Sequence, residues 1–133
     1  MPPRFSLRKK ERLKSPKIIS SLFAQGKATL IYPLRVVWLP VDRVDIQYRV
    51  EAAFSVAARR FPKATDRNRI KRQMRESYRL NKRSLYEVLE QQNNRTIAVI
   101  FIYVAPSFLN FAQINTAMQN ALRYLCQNVS VVK

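Results

Sequence analysis

The chain has 133 residues, the length of one compact domain, and 47% of them are hydrophobic, which excludes wholesale disorder. Its 25 Lys and Arg against 8 Asp and Glu leave a formal net charge of +17. Such a charge repels itself in a folded chain and far exceeds what solubility asks, so a polyanionic partner, nucleic acid first, is expected to offset it.

The residue types that are absent narrow the chemistry. There is no histidine, and Cys126 stands alone, which excludes a His-based acid/base pair, an intramolecular disulfide and a Cys-based zinc site. The carboxylates (Glu11, Asp42, Asp45, Glu51, Asp66, Glu76, Glu87 and Glu90) are scattered among basic neighbours, without the cluster a metal-dependent nuclease needs. The expected division of labour is binding by the protein and chemistry by something else. The longest apolar run, 97–106, is too short to cross a bilayer, and the basic N-terminus lacks an apolar signal core. No membrane partner and a cytoplasmic location are therefore expected.

In chain order, residues 1–14 are basic and aperiodic and read as a flexible arm of a single domain spanning 1–133. Ser15-Pro16 signals a helix start, with Ser as N-cap and Pro at the first helical position. Ile18, Ile19, Leu22 and Phe23 fall on one side of that helix, and Gly26, the only glycine, sits where a positive-φ cap would end it. A strand over 29–32 is one option. A strand over 34–39 follows, with Arg35 on the opposite face from Val36 and Trp38, then a turn over 40–45. The alternation over 48–56 predicts another strand, and an antiparallel pair with 34–39 is the simplest arrangement.

Residues 64–92 have helical period. Ile70, Met74, Ser77, Leu85, Val88 and Leu89 form one stripe, bordered by Tyr78, while Lys71, Arg72, Arg75, Arg79, Lys82 and Arg83 fall on the adjacent arc. Asn93-Asn94 ends the helix, and the apolar run 96–104 predicts a strand covered on both faces. Phe111, Ile114, Ala117, Met118, Ala121 and Leu125 give a last amphipathic helix. The order is that of an α+β sandwich with helices on the sheet.

Between Arg67 and Arg83 stand eight basic residues and one acid, Glu76. A solvated face would mix signs, whereas Lys71/Arg75 and Arg75/Arg79 set like charges at i,i+4, which costs stability. A phosphate-tracking surface explains the pattern better. Arg67, Asn68 and Arg69 occupy the first turn, where backbone N–H groups attract anions, and the Asn68 amide can both donate and accept.

The stretch Arg59-Arg60-Phe61-Pro62-Lys63-Ala64-Thr65-Asp66-Arg67-Asn68-Arg69-Ile70-Lys71-Arg72-Gln73-Met74-Arg75-Glu76 closely resembles the signature of the ribonuclease P protein subunit. In that signature a basic pair leads into a helix that opens Arg-Asn-Arg, continues Lys-Arg and reaches Arg-Glu one turn later. Glu11-Arg12-Leu13, Leu22-Phe23 and Gly26 resemble the family's N-terminal region at the right spacing. The resemblance implies a two-layer α+β sandwich of αβββαβα order, akin to a domain of a small-subunit ribosomal protein. Its long helix would make a left-handed crossover between parallel strands, against the usual rule.

The resemblance also implies a function. The protein would be the RNA-binding subunit of an endoribonuclease holoenzyme, assisting a catalytic RNA that removes the 5′ leader from precursor tRNA. The implied partners are the catalytic RNA and the leader, in a one-to-one complex with a monomeric protein that has no activity alone. Mg2+ in the holoenzyme would be bound mainly by RNA. By position, Arg67, Asn68, Arg69, Lys71, Arg72 and Arg75 inherit RNA contacts, and Arg79 and Arg12 complete the expected set. The leader cleft would carry Phe23, Ile19 and Arg35, with Phe23 either a stacking aromatic of the cleft or a core side chain. Three departures stand out: Ile19 and Arg35 replace family aromatics, and Pro62 replaces a glycine. The alternative reading is a ribosomal or other structured-RNA-binding protein.

Overall fold

The computed structural model of the protein describes residues 11–41, 49–92 and 95–131. Helix α1 (Pro16–Gln25) opens where expected. The Ser15 side chain accepts the Ile18 N–H at 3.3 Å, and Pro16 fills a first-turn position where its missing N–H costs nothing. The helix end corrects the sequence reading, because Gly26 has φ −67° and ψ 152°, extended rather than left-handed. Crowding is what demands glycine. The Gly26 N–H donates to the Leu22 carbonyl at 2.8 Å, and a Cβ would come within 2.3 Å of that oxygen and 2.8 Å of Val37 Cγ1. Gly26→Ala is expected to lower stability by about 1–3 kcal/mol by forcing α1 away from the sheet. An unchanged denaturation midpoint would refute that account.

Four strands build the sheet: β1 (Lys27–Ile31), β2 (Leu34–Pro40), β3 (Val50–Val56) and β4 (Ile97–Tyr103), in the spatial order β1-β2-β4-β3. β2 pairs antiparallel with both β1 and β4, while β3 and β4 run parallel. The optional strand near 29–32 is thus real and starts two residues earlier. The expected antiparallel pairing of the strands at 34–39 and 48–56 is wrong, because β4 lies between them. Composition explains the insertion. β4 has no polar face and belongs where both faces are covered, whereas β3 carries Glu51 and Ser55 and takes an edge. Of the expected turn at 40–45, Pro40 ends β2 and residues 42–45 lie outside the described residues, as do Tyr48 and Asn93-Asn94.

Parallel neighbours need a long crossover, and α2 (Ala64–Asn81) with α3 (Arg83–Gln91) supply it. The single helix expected over 64–92 therefore divides at Lys82, whose backbone nevertheless stays helical at φ −70° and ψ −19°. Two side chains account for the joint: Asn81 Nδ2 donates to the Ser77 carbonyl at 2.7 Å, and Lys82 turns inward to an ion pair with Glu11. Helix α4 (Phe111–Val131) begins with a reciprocal cap. The Gln113 N–H donates to Asn110 Oδ1 at 2.8 Å, and the Asn110 N–H donates to Gln113 Oε1 at 3.1 Å.

Period-two alternation sends strand residues into two cores. Leu34, Val36, Trp38, Val99 and Phe101 pack against Ile70, Met74 and Tyr78 of α2, Leu85 and Leu89 of α3, and the apolar stripe of α4. This is the expected sandwich. The other face carries a smaller core, in which Val37, Ala98 and Ile100 lie under Ile18 and Leu22 of α1, with Leu13 beside them. Of the flexible arm expected over 1–14, residues 1–10 lie outside the described residues, and the last four are not loose. Glu11 and Leu13 are buried, Arg12 forms a bridge to Ala52 of β3, and the Leu13 N–H donates to the Ala52 carbonyl at 2.9 Å.

Candidate nucleic-acid interface

Helix α2 presents the expected basic residues, but they do different things. Arg67 spends one guanidinium nitrogen on its own loop: Nη1 donates to the Phe61 and Pro62 carbonyls, each at 2.8 Å, fixing the segment that enters α2. Asn68 and Arg69 are exposed, and the Arg69 guanidinium lies over the Phe108 ring, 4.7 Å from its centroid. Lys71 is half-buried and Arg72 exposed. Arg75 is half-buried, and its pKa is held below the usual arginine value by burial first, then by Arg12 and Arg72. It stays charged all the same, since arginine does not deprotonate in proteins. Arg75 thus bears like charge from two sides, from Arg12 of the N-terminal segment and from Arg72 of its own helix.

The other three members of the predicted arc are paired with carboxylates. Arg79 grips Glu76 bidentately, Nε to Oε1 at 3.1 Å and Nη2 to Oε2 at 2.6 Å, and that contact holds the Glu76 carboxyl below the usual range. The expectation that Arg79 stands uncompensated is therefore corrected. Lys82 is not on the surface at all. Its Nζ sits 2.5 Å from Glu11 Oε2, with the two side chains only 5% and 2% exposed. The Tyr86 hydroxyl donates to the same oxygen at 2.6 Å, and burial, with Tyr78 and Glu11 nearby, pushes that phenol far above its usual pKa. Arg83, the last of the arc, pairs with Glu87 at 3.3 Å.

The buried pair explains how Arg12 reaches the helix. Lys82, at the joint just past α2, follows Arg75 by seven residues, two helical turns along nearly the same line. Anchoring Glu11 to Lys82 therefore brings the adjacent Arg12 alongside Arg75. Sequence reasoning included Arg12 by resemblance but placed it on a loose arm. Phe108 and the Glu11–Lys82–Tyr86 cluster it missed altogether.

The predicted cleft residues share the other side of the sheet. Phe23 is 64% exposed, so of its two readings the core one is set aside. Ile19 packs at the rim of the smaller core. Arg35 is exposed and lies in a cross-strand row, Leu30–Arg35–Ile102–Ser55, on the face that α1 covers in part. Leu30, also exposed, is an addition the alternation did not single out. Arg12 stands at the β3 edge of the sheet, bridged to Ala52, and bears on Arg75 of α2. Among the described residues no three of His, Cys, Asp and Glu come together as a metal site would need, and no helix is long and apolar enough to cross a membrane.

Comparison with known proteins matches this arrangement to one family. The family model described as Ribonuclease P matches residues 7–126. The ribonuclease P protein component of Porphyromonas gingivalis strain W83 is 43% identical over 132 residues, 96% of this chain and 92% of the relative. That of Chlorobium phaeobacteroides is 33% identical over 115 residues, 80% of this chain and 78% of the relative. Among solved structures, the ribonuclease P protein of Thermotoga maritima aligns with a TM-score of 0.67 at 21% identity, covering 86% of this chain and 96% of that one. The Staphylococcus aureus protein aligns at 0.63 and 20%, covering 92% and 98%. The structures establish the fold, and the family match and close relatives establish the rest: the chain belongs to the ribonuclease P family, as a protein component of that enzyme.

Proposed function

We propose that the chain binds the catalytic RNA of ribonuclease P through the face where Arg12, Arg72 and Arg75 converge, and the single-stranded 5′ leader of precursor tRNA along the α1 side of the sheet. The observation that carries the reading is the convergence itself. A buried ion pair anchors the segment that carries Arg12, and Arg75 bears like charge from both Arg12 and Arg72, an arrangement that disfavours the free protein and that phosphates relieve. Asn68, Arg69 and Lys71 extend the face, and Arg67 keeps further N–H donors beyond the nitrogen committed to its loop. In this reading one protein serves one RNA in the cytoplasm, and the RNA performs the cleavage, since the chain contains no histidine to move protons near neutral pH. In this reading the magnesium of the holoenzyme is held mainly by the RNA.

The test is reconstitution. Mixed with a ribonuclease P RNA and precursor tRNA at low magnesium, the protein should restore leader removal, while rigorously RNA-free protein should cleave nothing. Cleavage by the protein alone, or no stimulation of the RNA, overturns the reading. The leader face has its own test. Phe23→Ala should weaken holoenzyme binding of precursor tRNA by about 1–3 kcal/mol, the worth of one stacked base. Mature tRNA should bind as before, and the melting temperature should hold, because the ring is already in solvent. Equal losses for both ligands would refute the stacking role.

A further inference from the structure

The loop between β4 and α4 is fixed on both sides of Phe108. The Tyr103 hydroxyl donates to the Ser107 carbonyl at 2.6 Å and accepts the Leu109 N–H at 3.0 Å. Behind Phe108 stands Phe61, with ring centroids 5.1 Å apart, and behind Phe61 stands Tyr103, at 6.0 Å. The Phe61 backbone is in turn held by Arg67. Over Phe108 lies the Arg69 guanidinium. The result is a braced column, Tyr103–Phe61–Phe108–Arg69, that runs from the core outward and ends in water. Phe108 is still 41% exposed and Arg69 is exposed too. The column emerges beside Asn68, in the second turn of α2 rather than the first turn expected for Asn68 and Arg69.

A phosphate contact needs only the charge of Arg69 on a side chain free to swing. Laying the guanidinium on an aromatic ring removes that freedom before binding and offers a cationic, polarisable surface in a fixed place. Unpaired nucleobases stack on such surfaces, aromatic or guanidinium, whatever their sequence. We propose that Arg69 and Phe108 together form a stacking platform for one unpaired nucleobase. The inference rests on the reading that the start of α2 faces RNA, and it adds a ligand class, a splayed base, and a residue, Phe108, that charge alone does not select.

The experiment uses the full chain with Phe108→Leu, Phe108→Trp and Arg69→Ala. Leu retains apolar contact with Phe61 but has no π face, and melting temperatures check the fold. Affinity for ribonuclease P RNA is measured across salt concentrations, and affinity of the holoenzyme for precursor tRNA is measured alongside. Phe108→Leu should bind about 5- to 150-fold more weakly, the equivalent of one stacked base, with an unchanged salt slope. Phe108→Trp should bind at least as tightly as the parent, and Arg69→Ala should lose both affinity and slope. A loss in binding the RNA subunit places the base there, whereas a loss confined to precursor tRNA places it in the precursor. Parental affinity of Phe108→Leu for both RNAs overturns the platform. Arg72→Ala and Arg75→Ala then separate the causes: if they weaken RNA binding, only the platform has failed, and if they do not, the reading of the α2 face has failed with it.

Discussion

Lys82→Met is expected to destabilise the protein by about 3–5 kcal/mol, a fall in Tm of roughly 10–20 °C for a domain of this size. Removing the ammonium leaves the Glu11 carboxylate in a site where it is 2% exposed, with the Tyr86 hydroxyl still bonded to it but no opposing charge at 2.5 Å. A buried charge stripped of its partner loses the Coulomb attraction and keeps the desolvation penalty. The combined variant Glu11→Leu, Lys82→Met, Tyr86→Phe should recover part of the loss, because both buried charges go together, while the Tyr78 hydroxyl loses its 3.4 Å contact with that of Tyr86. Chemical denaturation of the parent, the single and the triple variant checks this. A single variant within about 0.5 kcal/mol of the parent would mean that Glu11 rehydrates easily and that the Lys82 pair is not what anchors the N-terminal segment.

Whatever depends on near neighbours is legible in the sequence. Ser15-Pro16 marks the start of α1, and the almost wholly apolar run at 96–104 marks β4, a central strand. The resemblance supplies the parallel pair, which periodicity cannot. What fails depends on distant partners. On a helical wheel Lys82 lies within about 20° of Lys71 and Arg75, so no local pattern separates the buried lysine from the solvated ones. Only Glu11, far away in the chain, decides it. A left-handed backbone is the commonest reason for glycine at a helix end, and that inference fails at Gly26. The actual reason there is crowding, by the Leu22 carbonyl of the same helix and by the Val37 side chain on β2, and the second lies on another element. Arg79 is different, since its partner Glu76 stands only three residues earlier. Like charges at i,i+4 suggest an uncompensated arc, but the opposite pair at i,i+3 outweighs them. Phe108 gives no periodic signal, being a loop residue whose importance comes from what the fold sets beneath it.

Arg12→Ala, Arg72→Ala and Arg75→Ala should each shallow the plot of log K against log salt for catalytic-RNA binding by about 0.7–0.9, because each leaves one phosphate with its own counterions still condensed on it. Lys71→Ala should behave likewise. Folded stability should hold or rise slightly for Arg12 and Arg72, because each bears on Arg75 with like charge in the free protein. Arg79 should stand apart. Its guanidinium is already held by Glu76, so reaching a phosphate means giving up that bond, and Arg79→Ala should change the slope by clearly less. Glu76→Ala makes the complementary case. It releases Arg79 and removes the only acid between Arg67 and Arg83, so both affinity and slope should increase. Asn68→Ala should lower affinity with little change in slope, since an amide neutralises no phosphate. Titrations between about 50 and 200 mM salt resolve these differences, because a face bound to several phosphates loses orders of magnitude in affinity over that range. If Arg72→Ala and Arg75→Ala leave both affinity and slope at parental values while the protein stays folded, the RNA does not bind at this face. If Arg79→Ala matches them, the Glu76 pair opens on binding, and the basic arc predicted from the sequence acts as a whole.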